Sequence, residues 1–288
     1  MKRLTKWFAF FLLFLSISPA TAEQTFRFTA IPDQNTARLQ ERFDAIATYL
    51  SGRLGVAVEY IPVKSYAASV QAFKNDEVQL AWFGGLSGVK ARRAVPGSRA
   101  IAQGQEDLAF VSYFIAHAST ALKESEEFPQ GIRGKTFTFG SKGSTSGRLM
   151  PEFYLRKHLG GAPGEVFERH GFSGDHSKTI ALVQSGSWQV GALNYKVWDT
   201  ELQEGKIDTS KVSVIWRTPT YPDYNWSIRG DIEGKYGKGF IDRVQQALLR
   251  MEDRSLLDRF PRTKFVPANN SIYGPILITG TAIGLFEK

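Results

Sequence analysis

Short apolar runs alternate with amphipathic helical stretches along most of this chain, and that alternation admits few folds. Phe26-Arg27-Phe28-Thr29-Ala30-Ile31 reads as a strand stopped by Pro32. Leu39, Phe43, Ile46, Ala47 and Leu50 follow at i, i+4, i+7, i+8 and i+11, one stripe of a helix that Gly52 and Gly55 end. Residues 56–63 read as a second strand, 66–75 as a helix capped by Ser65, and 78–83 as a nearly all-apolar strand halted at Gly84-Gly85. Apolar strands separated by helices predict a parallel α/β sheet covered on both faces.

A second unit of the same kind follows. Strands are expected at 135–139, 166–172, 189–193 and 212–216, and helices at 146–159 and 175–184. A last helix at 239–251 carries Ile241, Val244, Ala247 and Leu248 on one side. Two α/β units predict two lobes with a hinge and a ligand cleft between them. The expected division puts 23–115 and 217–288 in lobe 1 and 116–216 in lobe 2. The chain would then cross near 113–118 and 213–219.

The first residues set the compartment. Lys2, Arg3 and Lys6 precede an apolar run from Trp7 to Ile17, and Ala20 and Ala22 supply the small residues of a cleavage site. Residues 1–22 read as a secretory signal peptide, too short to span a bilayer, which needs about 20 apolar residues. A later apolar stretch, 272–286, is broken by Gly274, Pro275, Gly280 and Gly284. The mature chain is therefore expected to stay out of the membrane. It has no cysteine, which excludes disulfides, thiolate metal sites, cysteine nucleophiles and a lipid-modified cysteine tether. An untethered chain is retained only behind an outer membrane, so a periplasmic location is expected. Loss of the leader takes three basic residues and no acidic one, and the net charge of +8 becomes +5. That suits an anionic ligand but is not the basic stripe of a nucleic-acid binder. His117, His158, His170 and His176 stand at no metal-ligand spacing. No metal or cofactor is expected.

The densest chemistry is Gly140-Ser141-Lys142-Gly143-Ser144-Thr145-Ser146-Gly147, after a predicted strand and before a predicted helix. Helix starts carry unpaired N–H groups and partial positive charge, hydroxyls add donors, and glycine lets backbone approach a ligand. A plain Ser/Thr cap would look similar, and the spacing is not that of a Walker A loop. His176, in Ser173-Gly174-Asp175-His176-Ser177, opens another helix and could donate to an anion; alone it reads better as a surface histidine near a capping Ser or Asp. Pro219-Thr220-Tyr221-Pro222-Asp223-Tyr224-Asn225-Trp226 sets a lone carboxylate among aromatics, either a pocket wall or a packed loop. Tyr66 opens a helix, and Trp82-Phe83-Gly84 closes a strand at the end where open α/β sheets bind ligands.

Tyr66-Ala67-Ala68, the strand ending Trp82-Phe83-Gly84, Ser144-Thr145-Ser146-Gly147, Ser173-Gly174-Asp175-His176 and Pro222-Asp223-Tyr224-Asn225-Trp226 occur in this order. Together they resemble the phosphonate/phosphite-type periplasmic binding proteins of ABC importers, most nearly the branch labelled selenate-binding. The resemblance covers essentially all of the mature chain. It implies the type 2 periplasmic binding protein fold, an importer permease as partner, and ligand contacts at Tyr66, Ser144, Thr145, Ser146, His176 and Asp223. Two departures stand out. Phe110 takes the place of a tyrosine, and Asn194-Tyr195-Lys196 lacks the glutamate that aminophosphonate binders place after the strand at 189–193. Both favour a smaller oxyanion.

Asp223 would repel a fully ionised dianion but accept a hydrogen bond from an anion that keeps a proton, as phosphite, phosphate and phosphonates do near neutral pH. The expected protein is thus a non-enzymatic, monomeric binder of one small oxyanion. A sensor partner would share the same pocket. A serine hydrolase using Ser144 or Ser146 with His176 lacks the nucleophile-elbow spacing and an acid to orient the histidine.

Overall fold

The computed structural model describes residues 24–286, so the leader assigned to 1–22 lies outside the described residues. The chain opens with β1 (Phe26–Ala30), α1 (Thr36–Leu54), β2 (Val58–Tyr60), α2 (Tyr66–Lys74), β3 (Leu80–Phe83), α3 (Gly85–Ala94) and β4 (Arg99–Gly104). It then crosses to β5 (Ser112–His117), β6 (Thr136–Phe139), α4 (Met150–Leu159), α5 (Pro163–Val166), β7 (Arg169–Phe172), α6 (His176–Gln184), β8 (Val190–Asn194), α7 (Tyr195–Gln203) and β9 (Val212–Arg217). It returns through β10 (Asn225–Ile228), α8 (Glu233–Tyr236), α9 (Phe240–Leu249), α10 (Arg254–Leu257), β11 (Phe265–Pro267) and α11 (Gly274–Ala282).

Two sheets result, ordered β11-β4-β10-β3-β1-β2 and β7-β6-β8-β5-β9. They are mixed, which corrects the all-parallel expectation. β1 runs parallel to β2 and β3, but β10 enters antiparallel between β3 and β4. In the second sheet β5 runs antiparallel to both β8 and β9. The physical reason is the crossing. Each lobe's sheet takes in a strand that arrives from the other lobe, and such a strand need not follow the direction of the local βαβ units.

The crossing also moves the lobe boundary. β5 lies wholly within the second sheet, so the chain leaves lobe 1 over residues 105–111 and returns over 218–224, not at 115 and 217 as expected. The two crossing segments are tied to each other. Phe110 and Tyr221 exchange backbone hydrogen bonds of 2.8 and 2.9 Å, Thr218 N–H donates to Ser112 O at 3.0 Å, and Asp223 N–H donates to Asp107 O at 3.0 Å. Beneath them Arg262 makes a buried two-pronged ion pair with Asp107, both contacts 2.8 Å.

Local rules account for most element ends. Asn35 and Ser65 cap α1 and α2, accepting from Ala37 and Ala68. α1 runs through Gly52 and stops at Gly55, whose φ of 71° is left-handed. Lobe 1 is built on aromatics: Trp82, Trp226, Phe260 and Phe265 pack edge-on or tilted around one another, beside Phe28 and Phe43. Lobe 2 gathers Phe114, Phe128, Phe137 and Trp216.

Candidate functional site

Four helix-type starts face one another across the lobes, each just past a strand. Lobe 1 contributes the first residues of α2 and α3; lobe 2 contributes α6 and the turn leading into α4. That turn, Thr145–Leu149, is wider than an α-turn: Leu149 N–H reaches back five residues to Ser144 O at 3.0 Å. Ser144 Oγ accepts from Gly147 N–H at 2.9 Å. A side chain at Gly147 would put its Cβ 3.0 Å from His176 Cε1 and 3.1 Å from both Gly140 Cα and Ser144 Oγ. Glycine is what lets the turn lie flat against the imidazole.

The lobes touch through these same groups. Leu86 N–H, in the first turn of α3, donates to Thr145 Oγ1 at 3.0 Å, and Gly85 N–H donates to Asp223 Oδ1 at 2.8 Å. A Cβ on Gly84 would stand 3.2 Å from both acceptors, so this position also works by close approach. A Cβ on Gly143 would stand 2.9 Å from the Tyr66 Cβ, which sets the tyrosine of lobe 1 against the loop of lobe 2. His176 N–H donates to Asp33 O at 3.0 Å. The structure therefore brings Tyr66, Gly84, Ser144, Thr145, Ser146, His176 and Asp223 to one place.

Four polar atoms there have no partner in the protein: Tyr66 OH, Ser146 Oγ, His176 Nε2 and Asp223 Oδ2. Each residue is 2% exposed or less. An unmet buried polar atom costs about 1–3 kcal/mol, so such atoms are scattered and rare in ordinary interiors. Here they are four of the seven among the described residues, and they come from both sides of one junction.

Their protonation follows from their neighbours. Asn194 N–H donates to His176 Nδ1 at 3.3 Å, which makes Nδ1 the acceptor and leaves the proton on Nε2. Burial holds the imidazole pKa below its usual value, so His176 is neutral and Nε2–H is a donor. Burial likewise raises the Tyr66 phenol, which stays a neutral donor. Burial pushes the Asp223 carboxyl up to about 7, against the opposing pull of Gly85 N–H and the Thr145 hydroxyl. The site thus offers three neutral donors, and one carboxyl that holds or releases a proton near neutrality.

Trp82 and Phe83 do not join them. Trp82 stacks on Tyr224 and packs among Trp226, Phe260 and Phe265, while Phe83 packs on Phe73, so both belong to the lobe 1 core. β3 is central in its sheet and buried on both faces, so its side chains are spent on packing. Three residues not foreseen link the lobes behind the site. Tyr224 OH donates to Asp33 Oδ2 at 2.8 Å and accepts from Asn194 Nδ2 at 3.0 Å. Asn194 ends β8 and Asp33 follows the end of β1 by three residues, a positional signal that the sequence carries without naming their partners. Phe110 lies edge-on to Tyr195 and tilted against Tyr224, an apolar surface with no hydroxyl of its own.

Comparison with known proteins meets this geometry. Residues 28–273 match the family described as "ABC transporter, phosphonate, periplasmic substrate-binding protein". The chain is 40% identical over 257 residues to the probable ABC transporter phosphite binding protein PhnD1 of Prochlorococcus marinus strain MIT 9301, covering 85% of this chain and 84% of that one. The crystal structure of that PhnD1 with methylphosphonate superposes with a TM-score of 0.87 at 38% identity, over 91% of this chain and 99% of the other. The phosphonates-binding periplasmic protein of Escherichia coli K12 is 24% identical over 219 residues, 74% of this chain and 64% of its own. A two-lobed fold, a junction lined by helix starts, and a family match over nearly the whole described chain agree: the chain belongs to the periplasmic substrate-binding proteins of ABC phosphonate transporters.

Proposed function

We propose that this protein captures a small tetrahedral phosphorus oxyanion, phosphite or methylphosphonate in class, and that the bound pair shares one proton between the anion and Asp223. The observation that carries this is the set of four unpartnered buried atoms, three donors and one carboxyl oxygen. Tyr66 OH, Ser146 Oγ and His176 Nε2–H suit charged oxygens, with Ser144 and Thr145 hydroxyls beside them. Asp223 Oδ2 suits the one oxygen that keeps its hydrogen. With Asp223 poised at about 7, the proton resides on either partner without a change in the total. A fully ionised anion such as selenate has no proton to bring, so it must find Asp223 protonated and is disfavoured above neutrality. Phe110 and the lack of a carboxylate among Asn194, Tyr195 and Lys196 argue against an amino-alkyl substituent.

The mature chain acts as a monomer in the periplasm and hands its ligand to the permease of an ABC importer; no cofactor enters this role. Hydrolysis is disfavoured on geometry. Ser144 Oγ is committed to Gly147, His176 Nδ1 meets an amide rather than a carboxylate, and Nε2 already carries its proton.

Calorimetric titration of the mature protein with phosphite, methylphosphonate, phosphate, sulfate and selenate, on both sides of neutral pH, tests the reading. Tight binding of phosphite or methylphosphonate is expected at and below neutral pH, weakening toward about tenfold per unit at higher pH once both the anion and Asp223 have lost the shared proton, with selenate weaker than either throughout. Tight selenate binding at alkaline pH together with no phosphite binding would overturn it.

A further inference from the structure

A second cavity of about 380 Å³ lies between the lobes, away from the helix starts just described. Gln34, Arg38 and Arg42 wall it from lobe 1, Thr200 and Glu204 from α7 in lobe 2, and Arg259 from the segment after α10. Its charges are matched with one exception. Arg38 pairs with Glu204 at 2.7 Å across the lobes, Arg259 pairs with Glu41 at 2.6 Å, and Asp258 pairs with Arg254. Arg42 is 5% exposed and, among the described residues, has no carboxylate within ion-pair distance and no hydrogen bond; its buried Nε has no partner. The guanidinium lies over the rings of Phe43 and Phe260, 5.8 and 5.6 Å from their centroids, cation–π contacts that supply no anionic partner. Asp33, the nearest acidic influence, lies beyond ion-pair distance and is occupied by Tyr224. Burial lowers the Arg42 pKa to about 10, still well above neutrality, so the group is a cation.

A guanidinium with its Nε–H buried and unmet, and with only its outer nitrogens open to the cavity, is unfavourable unless an acceptor meets it there. Its planar fork matches a carboxylate or a comparable small monoanion. We infer that this cavity is a second anion site, which takes one small monoanion of the formate kind on Arg42. Because its walls come from both lobes, an occupant holds them together, and by reciprocity it tightens the capture of the transported ligand. This role is separate from the oxyanion site and from Asp223.

The test uses the mature protein saturated with methylphosphonate, so that the first site is filled, and titrated with sodium formate at fixed ionic strength. The wild-type melting temperature should rise saturably. Arg42→Met should show no such rise, and in formate-free buffer it should melt at or above the wild type, because an unpaired buried charge has been removed. Formate should also tighten methylphosphonate binding, about fivefold or more in the wild type and not in the variant. Equal melting responses in the two proteins, or none in the wild type, would overturn the site. Should Arg42→Met not fold, wild-type crystals grown with methylphosphonate and soaked in bromide decide the matter: an anomalous peak at the Arg42 guanidinium is expected, and its absence there rejects the proposal. Failure of the proposed function reads out separately, as no heat on adding methylphosphonate without formate, and the Arg42 comparison is then made with formate alone.

Discussion

Burial holds Asp223 at about 7, so the folded chain keeps a proton through an interval in which the unfolded chain has lost it. The unfolded carboxyl ionises near pH 4. Stability from this group is therefore complete below about pH 4 and is lost as pH rises to about 7, by about 4 kcal/mol in all. In ligand-free protein, the unfolding free energy of the wild type relative to Asp223→Asn should fall across that window and level off above it, as urea titrations at several pH values would reveal. A flat difference would mean that Asp223 is hydrated in solution. His176 makes a complementary case. Removing a hydrogen bond to a charged oxygen costs about 1.5–3 kcal/mol, so His176→Ala should weaken methylphosphonate binding roughly ten- to hundredfold by calorimetry. That Ser144, Thr145, Ser146 and His176 would gather was legible in the sequence because donors crowded at helix starts are unusual enough to notice, and Asp223 stood out as a lone carboxylate among aromatics. Asp33, Tyr224 and Asn194 were not legible, because each acts through a partner more than fifteen residues away in the chain. Trp82 and Phe83 were misassigned because position at a strand end does not say which side chains face the cleft.

Among the elements, the wide turn Thr145–Leu149 matters most to the site. Its close seat against His176 depends on Gly147. Gly147→Ala would press a methyl group on an imidazole and on the Gly140 backbone, neither of which yields cheaply. Loss of about 1–3 kcal/mol of stability is expected, with weakened ligand binding, both measurable on the same purified variant. Unchanged affinity would show that the imidazole can shift freely. The strands β1, β3, β6 and β8 and the helices α1, α2, α4 and α6 all follow from their apolar spacing. α3 was missed because it opens on Gly84-Gly85, which reads as a stop, yet here those glycines make room for Asp223 and Thr145. β10 was missed because Asn225-Trp226-Ser227-Ile228 is short and follows a proline-framed loop. β5, at 112–117, was not read as a strand either, and nothing in a local pattern tells which of two sheets will accept it.

For the molecule as a whole, closure rests on few contacts between the lobes. Asn194 to Tyr224 and Leu86 to Thr145 are buried, while Arg38 to Glu204 is partly exposed and contributes little, about 0–1 kcal/mol. Tyr224→Phe would leave Asn194 and Asp33 without their shared hydroxyl. Methylphosphonate should then dissociate roughly tenfold faster with little change in association, since the lost bond belongs to the closed form. Stopped-flow tryptophan fluorescence would follow it, and an unchanged dissociation rate would place the latch elsewhere.

Asp223 is bonded through its own backbone to Asp107, inside the pair of segments by which the chain crosses between the lobes. On the proposed reading, the carboxyl that shares its proton with the ligand therefore rides on the crossing between the lobes. Parting the lobes there would admit water to it, and loss of its proton would set a negative charge against a negative cargo. Reloading would then wait for a proton to come back, so an alkaline medium would slow it while leaving the crossing's backbone bonds as they were.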